Sequence, residues 1–545
     1  MKKQVGFILA ALMVLGFMTA CSSDHGNTGS SQVTINISKA ETASLNRKAA
    51  PAVTSVVITI SAPDMPFLWT EFPLTPPATI TANYDVPNGT GRNILVEAKD
   101  GTGAVVYSDS VTLDLDGTPV APLIALKPRF FPGTRQVGTA DLDVGKAVAR
   151  DSQGNIVIVG FTYGDLFSTN TDTKHNTADI FIIKTDKFSN VLWARQIGTD
   201  KDDAAFGVAV DKNDNSIIVT GLTNGGLNNE TPIKHADCFV MKLAATGETL
   251  WTKIIGSDGD DIGNSIAIDN NGNAYVTGFT TGSILGPSYG GYDLFVAAFT
   301  PTGTLMRNYQ YGTTGDESGE AIALVTAATG SVSVYVTGST YGDFGGVNAG
   351  LTDLFVMKLD PEVMSTPVWV RQTGTPFEDQ VKAITTDGAG AVYVAGLTYG
   401  GLDGNTNADT TGATSDVFIL KYDANGQKQG TAVQLGSSNS DGANAIAVDA
   451  NGAIIVAGFT SGAIGNNVSA GNDDIFVAKY DPATPAWAWI KQTGTTGYEQ
   501  ASGIAVDPQG NVIMTGDTTG GLDGNTNAGL SDLFLMMYDS AGVRQ

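Results

Sequence analysis

Five residues after a recurring Gly-[Ser/Thr] step, an acid appears seven times: Asp143, Asp203, Asp261, Glu317, Asp379, Asp441 and Glu499. Carboxylates repeated at one position could ring a common axis. Their mutual repulsion would then favour a bound cation or cationic ligand. A structural use is open as well: each acid could accept backbone N–H bonds in its own turn, or pair with a recurrent lysine. Lys184, Lys242, Lys358, Lys421 and Lys479 fill that lysine position, but Ala298 and Met537 interrupt it. A second candidate is the loop Gly400–Ala408, which recurs at Gly520–Ala528. Asp403, Asn405 and Asn407, with Asp523, Asn525 and Asn527 in the second copy, have the spacing of the first calcium ligands in a calcium-binding loop. Ala408 stands where such a loop has Gly, and Thr414 where it has Glu, so a polar Asx-turn loop is the competing reading. Calcium is therefore a conceivable cofactor and none is required. His175 and His235 sit in matching loops beside Lys174 and Lys234; they could join a metal site or simply be surface histidines.

These residues need a scaffold, and the chain repeats one. The Gly-[Ser/Thr] glycines are Gly138, Gly198, Gly256, Gly312, Gly374, Gly436 and Gly494, spaced 56–62 residues apart. Periods of this size mean stacked or radial repeats. Each copy reads as an acidic loop, a short strand, a tight turn, a second strand, a long polar loop, a third strand, a turn and a fourth strand. Four antiparallel strands make one propeller blade. The first strand alternates small residues (Ala147, Gly207, Ser265, Ala321, Ala383, Ala445, Gly503) with large ones (Val148, Val208, Ile266, Ile322, Ile384, Ile446, Ile504). Adjacent side chains face opposite sides of a strand, so blades can pack bump against hollow. Phe181, Phe239, Phe295, Phe355, Phe418, Phe476 and Phe534 read as filling between blades, and Trp193, Trp251, Trp369 and Trp489 as core of the fourth strand. The second strand carries a glycine at 160, 221, 278, 338, 396, 458 and 516, which predicts a bulge or a close backbone approach. The last copy almost lacks a fourth strand. Thr134–Gly138 matches Trp193–Gly198, so the segment before the first repeat should supply it and join the ends of the ring, removing an exposed edge.

The motifs D-x-x-G-N-x-[YI]-V-x-G-x-T (Asp269–Thr280) and D-x-F-[VI]-x-K (Asp353–Lys358) resemble the seven-bladed β-propeller repeat (SBBP) family of bacterial and archaeal surface proteins. The likeness covers about three-quarters of the chain and implies a fold, not an activity. The fold expected is all-β: a seven-bladed β-propeller over 131–545, preceded by a small immunoglobulin-like β-sandwich over 32–130. Runs at 33–38, 55–61, 78–84, 93–99, 105–110 and 122–127 supply the strands of the smaller domain, and Asp100-Gly101 is a hairpin signal. The loops before the first strand and after the second share one propeller face. They are long and variable, which makes that face the candidate for binding.

Lys2 and Lys3, the apolar run Val5–Ala20 and Cys21 resemble a bacterial lipoprotein signal. The resemblance implies cleavage after residue 20, lipidation of Cys21, and a flexible tether over 21–31; several acyl chains give stable anchoring. Ser22 rather than Asp follows the cysteine, which in that family implies sorting to the outer membrane. An ordinary secretory signal is the alternative. Cys238, in an apolar run, reads as a small buried hydrophobe, so no intrachain disulfide is expected. Acids outnumber bases 55 to 30, a surface that repels nucleic acid. No Cys-x-x-Cys-His is present, so covalent haem is excluded. No nucleophile–base pair stands out, and no catalytic residue is assigned. The function expected is a lipid-anchored cell-envelope protein, on the outer membrane or cell surface. Its propeller would be a binding scaffold for a protein, glycan or cation. The alternative is an envelope polysaccharide hydrolase or lyase acting at the channel mouth.

Overall fold

The computed structural model describes residues 30–37, 53–62, 65–73, 80–100, 105–122, 127–128 and 134–545, apart from 169, 171–175, 188, 229, 285, 328, 408 and 410. The signal segment 1–20, Cys21 and His175 lie outside the described residues. Two compact units are present, Met1–Pro132 and Gly133–Gln545.

In the first unit, Ser30–Ile37 pairs with Ile80–Pro87, and a five-stranded sheet runs Met65–Pro73, Val53–Ala62, Gly89–Asp100, Val105–Leu115, Lys127–Pro128 in spatial order. The two sheets share one apolar core that includes Val33, Ile35, Ile58, Ile94 and Val96. The first strand starts inside the stretch read as a tether: Ser31 pairs with Val86, and its hydroxyl donates to Asn88 Oδ1 at 2.8 Å. Met65–Pro73 went unread as a strand because it contains Pro66 and ends on Pro73. Proline cannot donate to a ladder, which suits the edge position this strand takes.

The second unit is all-β and propeller-like. Among its described residues stand seven four-stranded antiparallel sheets, numbered here 1 to 7 in chain order. Sheet 1 comprises Asp143–Arg150, Ile156–Thr162, Asp179–Thr185 and Val191–Ile197, first strand to fourth. The first strands that follow are Asp203–Val210, Asp261–Ile268, Glu317–Thr326, Asp379–Thr386, Asp441–Val448 and Glu499–Val506. Each contacts the next, and the last contacts the first, so the ring closes. In sheet 7 the fourth strand is Arg135–Val137, from before the first repeat, with Phe534 opposite Gln136.

Packing accounts for the repeated residues. All seven third-strand phenylalanines are fully buried. Burying each contributes on the order of 2 kcal/mol. The second-strand glycine faces a first-strand bulge; a Cβ at Gly278 would lie 1.7 Å from the Ile262 carbonyl oxygen, and in the other six copies the distance is 1.8–2.0 Å. The small first-strand residue meets the neighbouring sheet's backbone, as Gly503 does at Ala147 and Val148. The Gly-[Ser/Thr] glycine lies under a third-strand aspartate, where a Cβ would fall 1.7–2.0 Å from Oδ1 in every copy. The tryptophans latch one sheet to the next. Trp193 Nε1 donates to the Ala245 carbonyl at 3.0 Å, and Trp251 Nε1 to that of Pro301 at 3.0 Å.

Candidate functional site

Each of the seven repeated acids opens a first strand and is 0–1% exposed, with its side chain directed into its own sheet's loop. The partner is the Ser/Thr of the Gly-[Ser/Thr] step. Asp143 Oδ2 accepts from the Thr139 amide at 2.6 Å and its hydroxyl at 2.9 Å, while Oδ1 accepts from Thr162 at 2.5 Å. Glu317 does the same with Thr313 (2.5 and 2.7 Å) and Thr340 (2.7 Å). Asp203, Asp261, Asp379, Asp441 and Glu499 accept the equivalent amide bonds at 2.5–2.6 Å. The acid's own amide reaches the preceding sheet: Asp203 N donates to Ala178 O at 2.8 Å, and Asp143 N to Ser531 O at 2.8 Å across the closure. Burial pushes the carboxyls of Asp143, Asp261 and Asp441 above their ordinary range, and those of Asp203 and Asp379 to about 6.

The recurrent lysine is not the acid's partner. Lys184 lies opposite Val157 and Asp143 opposite Thr162, five rungs away, roughly 17 Å along the strand. Lys184 instead pairs with Asp151 at 3.0 Å, and Lys479 with Asp449 at 2.8 Å, in the tight turns of the opposite face.

In the two matching loops the acid holds a cation of the chain itself. Asp403 pairs with Lys428 and accepts from Ala432 N at 2.7 Å; Asp523 pairs with Arg544 and accepts from Thr134 N at 2.7 Å. Asn405 and Asn525 turn their Nδ2 to the Leu402 and Leu522 carbonyls (2.8 and 2.6 Å), and Asn407 and Asn527 to those of Thr398 and Thr519. No group of three or more His, Cys, Asp or Glu placed to hold a metal occurs among the described residues. His235 lines a shallow cavity with Lys201, Lys234 and Asp260. Cys238 is buried, and burial pushes its thiol up to about 12. With these donors already engaged, 1 mM calcium added to metal-free protein is expected to move the Tm by less than about 1 °C. A rise of about 3 °C, which a 10 μM site would give, would restore the calcium reading.

The axis of the ring holds a cavity of about 200 Å³, lined by the middle of all seven first strands. The bulge residue, three positions after each acid, lines it: Lys146, Phe206, Asn264, Glu320, Lys382, Asn444 and Ser502, all polar but Phe206. The bulge leaves that residue outside the ladder and turns it to the axis. Asn264 and Asn444 reach across to the next sheet, donating to Gly319 O (2.9 Å) and Ala501 O (3.0 Å). The sequence reading missed this ring by looking for what repeats. The legible signal was the reverse: a position that varies between copies and sits next to the invariant small-then-large pair of the same strand.

A beta-propeller repeat model (SBBP) matches residues 192–228, 250–286, 368–403 and 488–523, each running from a fourth strand through the next sheet's first two. An uncharacterized WD repeat-containing protein, L264 of Acanthamoeba polyphaga mimivirus, is 24% identical over 500 residues, covering 70% of this chain and 35% of that protein. Regulatory protein FlaEY of Caulobacter vibrioides is 25% identical over 380 residues, covering 61% and 38%. The chain thus spans little more than a third of these relatives. Among solved structures, the Dos1 propeller aligns with 9% identity and a TM-score of 0.40 over 74% of this chain and 94% of its own. Chaetomium thermophilum Sqt1 aligns with 10% identity and a TM-score of 0.36 over 75% and 86%.

Proposed function

We propose that this protein is a lipid-anchored cell-envelope scaffold, held by Cys21, whose seven-bladed propeller binds a partner through its long-loop face. In this reading the first unit is an immunoglobulin-like spacer between anchor and propeller. One observation carries it. The polar residues that repeat are buried in the framework, whereas the exposed tyrosines among the described residues (Tyr289, Tyr292, Tyr341 and Tyr498) all lie in the long loops or the acidic loops beside them. Tyrosine offers large contact area at low entropic cost, and its hydroxyl serves a polar rim. Val347, Leu351, Val468 and Leu530 extend the same face. A photo-crosslinking residue at Tyr341 or Tyr498 is expected to capture the same envelope partner, while one at Val363, in a turn of the opposite face, captures none. Equal capture from both faces would refute the reading. Cys21→Ser is expected to move the protein from the membrane to the soluble fraction.

A further inference from the structure

The seven sheets are not equivalent around the channel mouth, and the departure is concentrated at one junction. The second-strand residue opposite the position after the acid is Phe161, Leu222, Phe279, Ser339, Leu397 and Phe459 in sheets 1 to 6, but Asp517 in sheet 7. The residue before the acid is Leu142, Asp202, Asp260, Asp316, Glu378 or Ser440 elsewhere, but Tyr498 here. The residue before the third strand is Ala178, Ala236, Tyr292, Thr352, Ser415 or Ser531 elsewhere, but Asp473 in sheet 6. Together with Phe459, Glu499 and Gln500, these three line a cavity of about 300 Å³ open to the long-loop face.

The groups are held in place. Asp517 accepts from Gln500 Nε2 and from Ser531 Oγ, both at 3.2 Å. Asp473 accepts from Ser461 Oγ at 2.5 Å. The Tyr498 loop is clamped to Thr519, whose Oγ1 accepts the Tyr498 amide at 2.7 Å and whose amide donates to the Tyr498 carbonyl at 2.9 Å. Glu499 is committed to its own loop through Thr495 and Thr518. The cavity therefore offers two half-buried carboxylates, an amide and two aromatic rings. The charge that bears on it from outside is Lys146 of sheet 1, which lies 5.7 Å over the Phe161 ring and attracts Asp517. Two carboxylates against one lysine leave an excess of negative charge, and the rings of Tyr498 and Phe459 line the same cavity, where a cation can be taken against a ring face. A neutral or anionic group gains little in such a site; a compact cation gains from both.

We infer that the cavity between sheets 6 and 7 binds a primary ammonium group, such as a lysine side chain or an N-terminal amine, presented by the partner of the long-loop face. This deepens the scaffold reading and rests on it. n-Butylammonium is the probe, titrated into the full chain by calorimetry, with 1-butanol as the neutral isostere. Saturable binding of the ammonium and none of the alcohol is expected. Asp517→Asn, close to isosteric, should weaken the probe about fivefold, and Tyr498→Ala, at an exposed side chain, about threefold. Lys146→Met should tighten it, because a competing cation is removed. No saturable binding, equal binding of the alcohol, or an affinity unmoved by Asp517→Asn would overturn the inference. If the probe fails while crosslinks still form at Tyr341, the ammonium site falls and the scaffold reading stands.

Discussion

A chain that begins at Asp143 is expected to melt about 5–10 °C below one that begins at Pro132. The two differ by the strand that closes the ring. Gln136 Nε2 donates to Asp532 Oδ2 and to Gly520 O, both at 2.9 Å, and Gln136 Oε1 accepts from Leu522 N at 3.1 Å. Thr134 is bound at both ends: its amide donates to Asp523 Oδ2 at 2.7 Å, and its carbonyl accepts from Asn525 Nδ2 at 2.9 Å. The ladder from Arg135 to Val137 adds its own bonds to sheet 7. At about 1 kcal/mol net for each hydrogen bond, the loss is on the order of 5–8 kcal/mol. A unit of about 400 residues changes its Tm by roughly 1 °C per kcal/mol, which sets the expected drop. Truncation also bares the third strand of sheet 7 as an edge, so the shorter chain should aggregate during the melt. Equal melting temperatures would show that the ring holds without this strand.

Closure was legible because one local fact pointed to it: the last repeat stops short, and Thr134–Gly138 resembles a fourth strand. The recurring glycines were legible for a related reason. Gly160 and its equivalents sit where only a hydrogen can face a neighbouring carbonyl, so the restriction survives in every copy. The pairing of side chains across strands was less legible. Lys184 and Asp143 look like partners in a repeat alignment, yet register sets them at opposite ends of the sheet, where Asp151 is the nearer acid. Register is fixed by the turns and the bulge, and a repeat alignment carries neither.

The seven acids, for which the sequence left a framework use and a ligand ring both open, carry a further lesson. A carboxylate at one position in every copy could form a ring of ligands, but an acid kept in all seven copies is also what a framework contact demands. Each acid satisfies an amide and a hydroxyl that would otherwise be buried without a partner. A binding site on one side of a ring needs the symmetry broken, as at Asp517, Tyr498 and Asp473. Those residues are inconspicuous in one repeat and visible only as departures once the strands are in register.

The framework role makes its own prediction at Asp379. Its Oδ2 accepts from the Thr375 amide at 2.5 Å and hydroxyl at 2.8 Å, and its Oδ1 from the Thr398 hydroxyl. Asp379→Ala leaves that amide and both hydroxyls buried without the carboxylate and is expected to cost on the order of 3 kcal/mol at pH 4, and less at pH 7. Asp379→Asn should behave differently. Its Oδ1 can take the amide bond while its Nδ2 donates to Thr398, so the network survives without a charge. Burial raises the Asp379 carboxyl from 3.8 to about 6, so the native protein binds this proton more tightly than the unfolded chain. The stability that follows is fully present below about pH 4 and is lost as pH rises through 6. Between pH 4 and pH 7 the wild type therefore loses roughly 2 kcal/mol at this residue that the Asn variant does not lose. Other titrating groups act on both proteins alike and cancel in the difference. The Tm of Asp379→Asn relative to wild type is expected to climb by about 2 °C across that interval. A difference that stays flat from pH 4 to pH 7 would show that Asp379 is ionised in the fold throughout, its burial offset by the Thr375 and Thr398 donors.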